Sequence, residues 1–314
     1  MAPRKILIDT DPGQDDAFAI LLALGSPEEL EVVGLTAVAG NVPLSRTARN
    51  AQMVLELAGR GDIIVYPGCK RPMVRSLFTA EYVHGDSGLD GCDLPEPTSA
   101  LGEKHGVDFI VDTIMAAEPG EITLCPLGPM TNIAMAMVKE PAIVPRIREI
   151  VFMGGGFFEG GNTTPAAEFN IFVDPHAAHV VFTSGVPLTM VPIDCTYKAL
   201  MTPEWLQSLR AVGTRTAVES AGMAEFYQKW GNQKFGTDRY PLHDPCVIGY
   251  LLRPDLFKGR NCHVEIEITS PTTMGMTVVD WWNVTKKTPN CMVLRDLDNP
   301  PFYALMLERL SRLP

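Results

Sequence analysis

Short apolar runs alternate with helical patterns of apolar residues along most of the chain. The run Lys5 to Ile8 predicts a strand, and the spacing from Asp16 to Leu24 predicts a helix that ends at Gly25. Strands that alternate with such helices are typical of βαβ units, whose strands lie parallel. We therefore predict an α/β fold: an open, mostly parallel, Rossmann-like sheet flanked by helices, with helical insertions, in a single domain over residues 1–314.

The same alternation predicts the other elements. The predicted strands are Glu31 to Val38, Ile63 to Val65, Ile122 to Leu124, Glu149 to Met153, Leu188 to Val191, His263 to Thr269 and Thr277 to Trp282. The predicted helices are Thr47 to Leu57, Val107 to Ala117, Met130 to Val138, Pro175 to Phe182, Trp205 to Arg210, Thr216 to Trp230, His243 to Leu251 and Phe302 to Leu310. Polar and glycine-rich segments follow several of the strands. Open α/β sheets bind ligands beyond the carboxyl ends of their strands, so we expect these segments to converge.

Composition and charge narrow the classes of partner. The chain is 46% hydrophobic and carries a formal net charge of -11. This acidity disfavours nucleic acid and anionic membranes, because both are bound by basic surface. The seven scattered cysteines show no metal-site or disulfide spacing, and no stretch is long and apolar enough for a signal peptide or a membrane span. We expect a reduced, soluble, cytoplasmic protein that binds a small molecule.

Four aspartates crowd the turn after the first predicted strand, in Asp9-Thr10-Asp11-Pro12-Gly13-Gln14-Asp15-Asp16. Two carboxylates about 4 Å apart repel by roughly 4 kcal/mol at an effective dielectric near 20, so a compensating charge is needed. Asp15 as a helix N-cap would explain one carboxylate. A hard divalent cation explains more of them, since calcium takes six to eight oxygen ligands. An aspartyl-phosphate enzyme that uses Asp9 and Asp11 is a weaker alternative, because Pro12-Gly13 follows that pair.

Three distant segments are candidates for ligand contact. Glu168-Phe169-Asn170 lies in a predicted glycine-rich loop and suits hydrogen bonding to the vicinal hydroxyls of a sugar, although a surface Asx-turn would use the same residues. His243 precedes Asp244 at the head of a predicted helix, where Asp244 could be the N-cap and His243 either an acid catalyst or incidental. His84-Gly85-Asp86-Ser87-Gly88 is either a flap or an ordinary polar turn.

Together these segments resemble the inosine-uridine nucleoside hydrolase family. The matching segments, in the family's order, are Asp9 to Ala17, Gly40-Asn41, His84 to Gly88, Gly128 to Asn132, Met153 to Gly156, Ala167 to Asn170 and His243 to Pro245. The resemblance reaches to about Asp280 and implies the nucleoside hydrolase fold. It also implies an N-glycosyl hydrolase that converts ribonucleosides to ribose and free base with one calcium ion, working as a homodimer or homotetramer.

The resemblance implies a role for individual residues. Its calcium ligands fall on the side chains of Asp11, Asp16 and Asp244 and on the backbone carbonyl of Leu127, where a threonine is common. Asp11 resembles the general base, and His243 resembles the group that assists departure of the base. The implied substrate-binding residues are Asp15, Asn41, His84, Met153, Asn162, Glu168, Phe169, Asn170 and Asp244.

The base preference that the resemblance implies is pyrimidine or mixed inosine/uridine. Several segments look most like the pyrimidine-preferring bacterial members of the family. Gln233 and Phe235, however, are only approximate substitutes for the Gln and Tyr pair associated with pyrimidine selectivity. A non-catalytic sugar or nucleoside binder is a third alternative, and it would require the positions of Asp11 and His243 to be dispensable.

Overall fold

A computed structural model describes residues 2–236 and 240–314, apart from the side chains of residue 230 and residues 232–235. Its strands are β1 Arg4–Thr10, β2 Leu30–Ala37, β3 Val65–Pro67, β4 Thr123–Pro126, β5 Glu149–Met153, β6 Leu188–Val191, β7 Leu200–Met201, β8 Tyr240–Pro241, β9 Phe257–Cys262, β10 Val264–Ile266, β11 Thr277–Val279 and β12 Cys291–Leu297. Its α-helices are α1 Gln14–Leu24, α2 Leu44–Leu57, α3 Glu81–His84, α4 Gly106–Ala116, α5 Thr131–Lys139, α6 Phe169–Val173, α7 Pro175–Phe182, α8 Ile193–Thr196, α9 Pro203–Val212, α10 Arg215–Phe235, α11 Pro245–Leu252 and α12 Asn299–Leu310. The 3-10 helices span Pro141–Arg146 and Pro254–Leu256.

The main sheet of the described residues has eight strands in the order β3-β2-β1-β4-β5-β6-β12-β9. All neighbouring strands pair in parallel except β9, which pairs antiparallel with β12 at one edge. The predicted open, mostly parallel α/β sheet is therefore confirmed. β1 pairs with β2 on one side and with β4 on the other, so the strand order reverses there. Ligand sites of such sheets lie in the crevice at this reversal.

β1 separates two hydrophobic cores. Ile6 and Ile8 pack into the core that contains α1, whereas Leu7 packs into the core that contains α4 and α5. Alternate side chains of a strand point to opposite faces, so the apolar run of β1 is covered on both sides. Full burial of each of these side chains stabilises the fold by about 1.5–3 kcal/mol. The turn that follows β1 thus starts from a fixed strand.

The helix α1 is buried along its whole length, packed against β2, α2, α10, α11 and α12. A helix that is apolar around most of its circumference is typical of a position inside a domain. Its first turn carries the last two aspartates of the cluster. These two carboxylates are therefore attached to one of the most enclosed elements of the molecule.

Several sequence predictions need correction. The strands β5 and β6 and the helix α7 have the predicted bounds, but the strand predicted at Ile63 to Val65 is observed at Val65–Pro67. The strands β9 and β12 were not predicted; four of the six residues of β9 are exposed, so its apolar pattern is weak. The predicted strands at His263 to Thr269 and Thr277 to Trp282 are shorter and form a separate two-stranded sheet, β10-β11. Within the described residues, no helix combines the length and apolar character needed to cross a bilayer.

Candidate active site

A cleft of about 630 Å³ lies at the carboxyl ends of β1, β2, β4 and β5. All nine residues predicted to bind substrate line it, together with His243 and Leu127. The predicted residues in its wall are Asp15, Asn41, His84, Leu127, Met153, Asn162, Glu168, Phe169, Asn170, His243 and Asp244. The expected convergence of the strand-end segments is therefore observed. Asp11 and Asp16 are buried rather than part of the wall.

Asp16, and not Asp15, closes the N-terminus of α1. One oxygen of Asp16 accepts the backbone N–H of Gly13 at 2.9 Å, and the other accepts the hydroxyl of Thr10 at 2.6 Å. The N-cap position is occupied by Gly13, so the alternative in which Asp15 is only a helix N-cap does not hold. The side chain of Asp15 lines the cleft instead. Both carboxylates lie in the first helical turn, where the helix dipole favours negative charge.

Asp15, Asp16 and Asp244 form a compact group of buried carboxylates. One oxygen from each lies within 4.8 Å of the other two. Burial is the main cause that raises the pKa of each of these carboxyls. It raises the pKa of Asp15 to about 7, and the charge of Asp16 contributes to that increase. Within the described residues, none of the ion pairs brings a lysine or arginine to this group. Within the part of the chain that the structure describes, these carboxylates therefore form no ion pair that would compensate their charge.

Asp11 lies beside this group with one oxygen unused. Its Oδ2 accepts the backbone N–H of Asn41 at 2.7 Å, whereas its buried Oδ1 has no hydrogen-bond partner in the described part of the chain. The amide of Asn41 also donates to Asp16 at 3.3 Å, which connects Asp11 to the carboxylate group. Burial, and next the charge of Asp16, raises the pKa of Asp11 well above its usual range. An unpaired buried carboxylate oxygen is costly unless a ligand completes it.

Two glycines make room for the Asp11 carboxylate. A Cβ built at Gly128 would overlap Asp11 Oδ1, and a Cβ at Gly40 would overlap Asp11 Oδ2. The carboxylate thus lies between the segments that follow β2 and β4. Any side chain at either position would have to displace it.

Asp9 connects the strands beneath the site. Its Oδ1 accepts the hydroxyl of Thr36 on β2 at 2.5 Å and the side-chain amide of Asn132 on α5 at 2.7 Å. Burial raises its pKa to about 7, and these two hydrogen bonds act in the opposite direction. The side chain does not line the cleft, so Asp9 supports the position of the turn that carries the other aspartates.

Glu168 and Asn170 form one hydrogen-bond network at the wall of the cleft. The segment is not a loop as predicted, because Glu168 caps the short helix α6 by accepting the backbone N–H of Asn170 at 3.0 Å. Glu168 also accepts the N–H of Gly155 at 2.9 Å, and burial raises its pKa to about 7. Asn170 donates from its amide to the carbonyl oxygens of Leu127 at 2.6 Å and Met153 at 3.2 Å. The predicted sugar-binding residues are thus fixed before a ligand arrives.

Asn162 also belongs to this wall. Its side-chain oxygen accepts the backbone N–H of Phe169 at 2.9 Å, which fixes the loop before α6. The side chain of Asn162 thus lies in the wall with its position set by the start of α6.

Two histidines line the cleft, each held through Nδ1. His243 Nδ1 lies 2.6 Å from the hydroxyl of Thr196, and His84 Nδ1 lies 2.6 Å from the side-chain oxygen of Gln14. Burial lowers the pKa of His243 to about 4 and that of His84 to about 3. Both rings are therefore neutral near pH 7, and a neutral imidazole offers one donor and one acceptor.

The segment that begins at His84, which the sequence left as either a flap or an ordinary turn, is tied to the aspartate turn. His84 ends the helix α3, and the amide of Gln14 donates to the carbonyl oxygens of His84 at 2.9 Å and Asp90 at 3.1 Å. A side chain at Gly13 would overlap the ring of His84, so this glycine lets the segment approach α1. The segment from 84 to 90 therefore packs directly against the start of α1.

Four tyrosines of the cleft were not predicted, namely Tyr82, Tyr197, Tyr227 and Tyr240. Tyr227 lies with its hydroxyl 3.4 Å from Asp15 Oδ2 and stacks on His84, and Tyr240 packs edge-on against Tyr227. Tyr197 lies in the wall near His243. In the sequence these residues stand outside the polar segments, and an aromatic residue in a helical pattern is typical of core. The side chains of Gln233 and Phe235, considered for base selectivity, lie outside the described residues.

Comparisons with known proteins agree with this geometry. The sequence profile described as "Inosine-uridine preferring nucleoside hydrolase" matches residues 6–304. The chain is 42% identical to the "Inosine-uridine preferring nucleoside hydrolase" of Crithidia fasciculata over 99% of this chain and 98% of that protein. It is 43% identical to the "Pyrimidine-specific ribonucleoside hydrolase RihA" of Photobacterium profundum over 98% of this chain and 99% of that protein. The solved structure of the "Purine-Preferring Ribonucleoside Hydrolase from Gardnerella vaginalis" matches with a TM-score of 0.92 and 32% identity, covering 98% of both chains.

Proposed function

Since the chain belongs to the inosine-uridine preferring nucleoside hydrolase family, and is therefore an N-glycosyl hydrolase of ribonucleosides, we propose that it performs this reaction with one bound calcium ion. The observation that supports the proposal is the group of buried carboxylates, which no lysine or arginine of the described residues pairs with. The aspartyl-phosphate alternative and the non-catalytic binder are set aside by this membership.

The residues at the site fit a hard divalent cation. Asp16 and Asp244 supply adjacent buried carboxylates, and the unpartnered Oδ1 of Asp11 is the orphaned polar atom that a cation would satisfy. The ligand atoms of these residues are oxygens, which calcium prefers. The carbonyl of Leu127 accepts one hydrogen bond, from Asn170, and a carbonyl has a second lone pair. Asp11, Asp16, Asp244 and the Leu127 carbonyl would hold the ion, with Asp15 close enough to share its field.

When bound, calcium would supply positive charge that lowers the pKa of water and anchors ribose hydroxyls. The protein groups then have separate tasks. Asp11 takes a proton from the attacking water. Asp15 and Asn41 bind ribose hydroxyls on the side of the aspartate turn. The distance between attacking water and sugar is thus set by groups that are buried and fixed.

The opposite wall binds the other face of the sugar. One preformed network in this wall contains the carboxyl of Glu168 and the side-chain amides of Asn162 and Asn170, with Met153 beside it. Cleavage of the N-glycosidic bond develops positive, oxocarbenium-like character on the ribose, and a carboxylate-rich pocket stabilises that charge. The acidity of the site is therefore part of its chemistry.

His243 assists the departing base. It lines the cleft, and its buried neutral ring can donate one hydrogen bond to a base that gains electron density as the bond breaks. A positioned donor of this kind typically contributes roughly 100- to 10,000-fold. His243→Ala should therefore slow the release of natural bases while sugar binding persists. Parental turnover of every nucleoside by that variant would refute the role.

For the base preference we propose pyrimidine or mixed inosine/uridine. Identity to an inosine-uridine preferring relative and to a pyrimidine-specific relative is nearly equal, at 42% and 43%. His84, Phe169 and Tyr227 are among the ring-bearing residues of the cleft that can contact a base. Relative kcat/KM for uridine, cytidine, inosine and adenosine would establish the preference.

The calcium proposal is tested by ribose release and by binding. Purified protein is treated with a chelator, and reducing sugar from the same four nucleosides is assayed before and after calcium is restored. We expect activity to disappear with the ion and to return with it. Calorimetry on the chelated protein should show one calcium site, which Asp11→Asn weakens while folding is retained. Full activity in the chelated protein, or in Asp11→Asn, would overturn the proposal.

Two further features remain predictions. We propose a homodimer or homotetramer in the cytoplasm, as the family resemblance and the scattered cysteines suggested. Sedimentation of the purified protein gives the oligomeric state, and imaging of the tagged protein gives the compartment.

A further inference from the structure

Thr196 is a buried residue next to His243 without a role in the mechanism above. Its side chain is completely enclosed, and its Oγ1 lies 2.6 Å from His243 Nδ1. It ends α8, the short helix that follows β6, so the backbone fixes it at the carboxyl edge of the sheet. Thr196 is not one of the described residues that line the cleft. Any effect it has on a substrate must pass through His243.

The direction of this hydrogen bond follows from what each group can satisfy. Within the described residues, the contact with His243 is the one hydrogen bond of the Thr196 hydroxyl. If the hydroxyl accepted a proton from Nδ1–H, its own O–H would be buried without an acceptor, at a cost of about 1–3 kcal/mol. If it donates, both groups are satisfied. The hydroxyl of Thr196 is therefore the donor and Nδ1 of His243 the acceptor.

Donation to Nδ1 decides what the ring presents to the cleft. A neutral imidazole has one proton, so an accepting Nδ1 places that proton on Nε2. The described residues provide no hydrogen-bond partner for Nε2. Nε2 is also not one of the fully buried side-chain atoms that lack a partner. It is therefore open to the cleft that His243 lines. In the other tautomer Nε2 would present a lone pair to a base that is gaining electrons.

We infer that Thr196 is a positioning residue, whose hydroxyl holds His243 in the tautomer that donates from Nε2 to the departing base. The inference rests on the role proposed for His243. During cleavage the C1′–N bond breaks with its electron pair on the base, Nε2–H hydrogen-bonds to the developing charge, and the base takes its proton from solvent. Water supplies the hydroxyl group that ends on C1′, and its other proton passes to Asp11.

The test compares variants that keep or remove the hydroxyl. Thr196→Val has nearly the same shape without the donor, and Thr196→Ser keeps the donor. We expect Thr196→Val to lower kcat for uridine roughly 10-fold or more while KM changes much less, and Thr196→Ser to recover most of the activity. Thr216→Val is the matched control, because the Thr216 hydroxyl is equally buried and bonds to the carbonyl of Leu57 away from the cleft.

A substrate with a good leaving group separates positioning from damage. p-Nitrophenyl β-D-riboside releases a stable phenolate that needs little help from a donor. Thr196→Val should hydrolyse it within about threefold of the parent rate, and its loss on uridine should vanish in a His243→Ala background. Equal losses on both substrates would mean general damage to the site and would overturn the inference.

The outcomes distinguish the inference from the proposal on which it rests. If His243→Ala slows uridine hydrolysis and Thr196→Val does not, the inference is wrong and the role of His243 stands. If His243→Ala hydrolyses every natural nucleoside at the parental rate, the proposed role fails and the inference fails with it. If Thr196→Ser is as slow as Thr196→Val, the hydroxyl is not what matters and the inference is also overturned.

Discussion

Gly128→Ala is a direct test of how closely the Asp11 carboxylate is held. A Cβ at position 128 would overlap Asp11 Oδ1, far inside the 3.4–4 Å of an ordinary contact. Relief of that overlap requires the carboxylate or the loop to move by roughly 1 Å, and a misplacement of about 1 Å in an active site can cost about 100-fold in rate. We therefore expect kcat for uridine to fall about 100-fold.

The assay for Gly128→Ala has three readouts: steady-state kinetics at saturating calcium, calcium affinity by calorimetry, and thermal unfolding. Calcium binding should weaken, because the displaced oxygen is the one proposed to face the ion. Overpacking typically costs about 1–3 kcal/mol of stability, so the variant should still fold. Gly61→Ala is the control, since its Cβ meets the nearest atom, on Glu56, at 3.5 Å. Parental kcat and calcium affinity in Gly128→Ala would refute the reasoning.

Two other buried groups yield predictions. Gln14→Leu removes the hydrogen bonds that fasten the segment from 84 to 90, each worth about 1 kcal/mol, so KM for uridine should rise and limited proteolysis within that segment should quicken. Gln52→Leu, which releases a loop away from the cleft, should change neither. Asp9→Ala leaves two buried donors without their acceptor and should lower the free energy of unfolding in urea by about 1–3 kcal/mol or more. Asp9→Asn keeps the accepting oxygen and should lose little; equal losses in both variants would contradict the structural role of Asp9.

The sequence was most informative where strands end in polar residues. A ligand crevice forms where the carboxyl ends of parallel strands meet, and this rule together with the segment resemblance located the wall of the cleft. The sequence did not identify which aspartate closes the start of α1, because spacing alone cannot distinguish Asp15 from Asp16. Their separate roles depend on which carboxylate turns back toward Gly13.

Residues that act through long-range packing were harder to find. Tyr227 lies on a helix and contacts Asp15 although the two residues are 212 positions apart in the chain. Thr196 contacts His243 although 47 positions separate them and no common sequence motif contains both. Their neighbours in sequence are ordinary, so only the assembled structure shows their contacts. The strand β12 was missed for a similar reason, since its place between β6 and β9 is a property of the whole sheet.

The position of β12 in the chain has a consequence for how the sheet is completed during synthesis. β12, Cys291–Leu297, pairs with β6 on one side and holds β9 on the other, and α12 then packs against α1, whose first turn carries Asp15 and Asp16. All the residues that line the cleft, up to Asp244, are synthesised before β12, the strand that completes the sheet. Nascent chains tend to fold from the N-terminus as they emerge, and incomplete sheets expose unpaired strand edges. Until β12 has been made, the edge of β6 that it covers stays unpaired, so a nascent chain cut short before Cys291 should expose that edge.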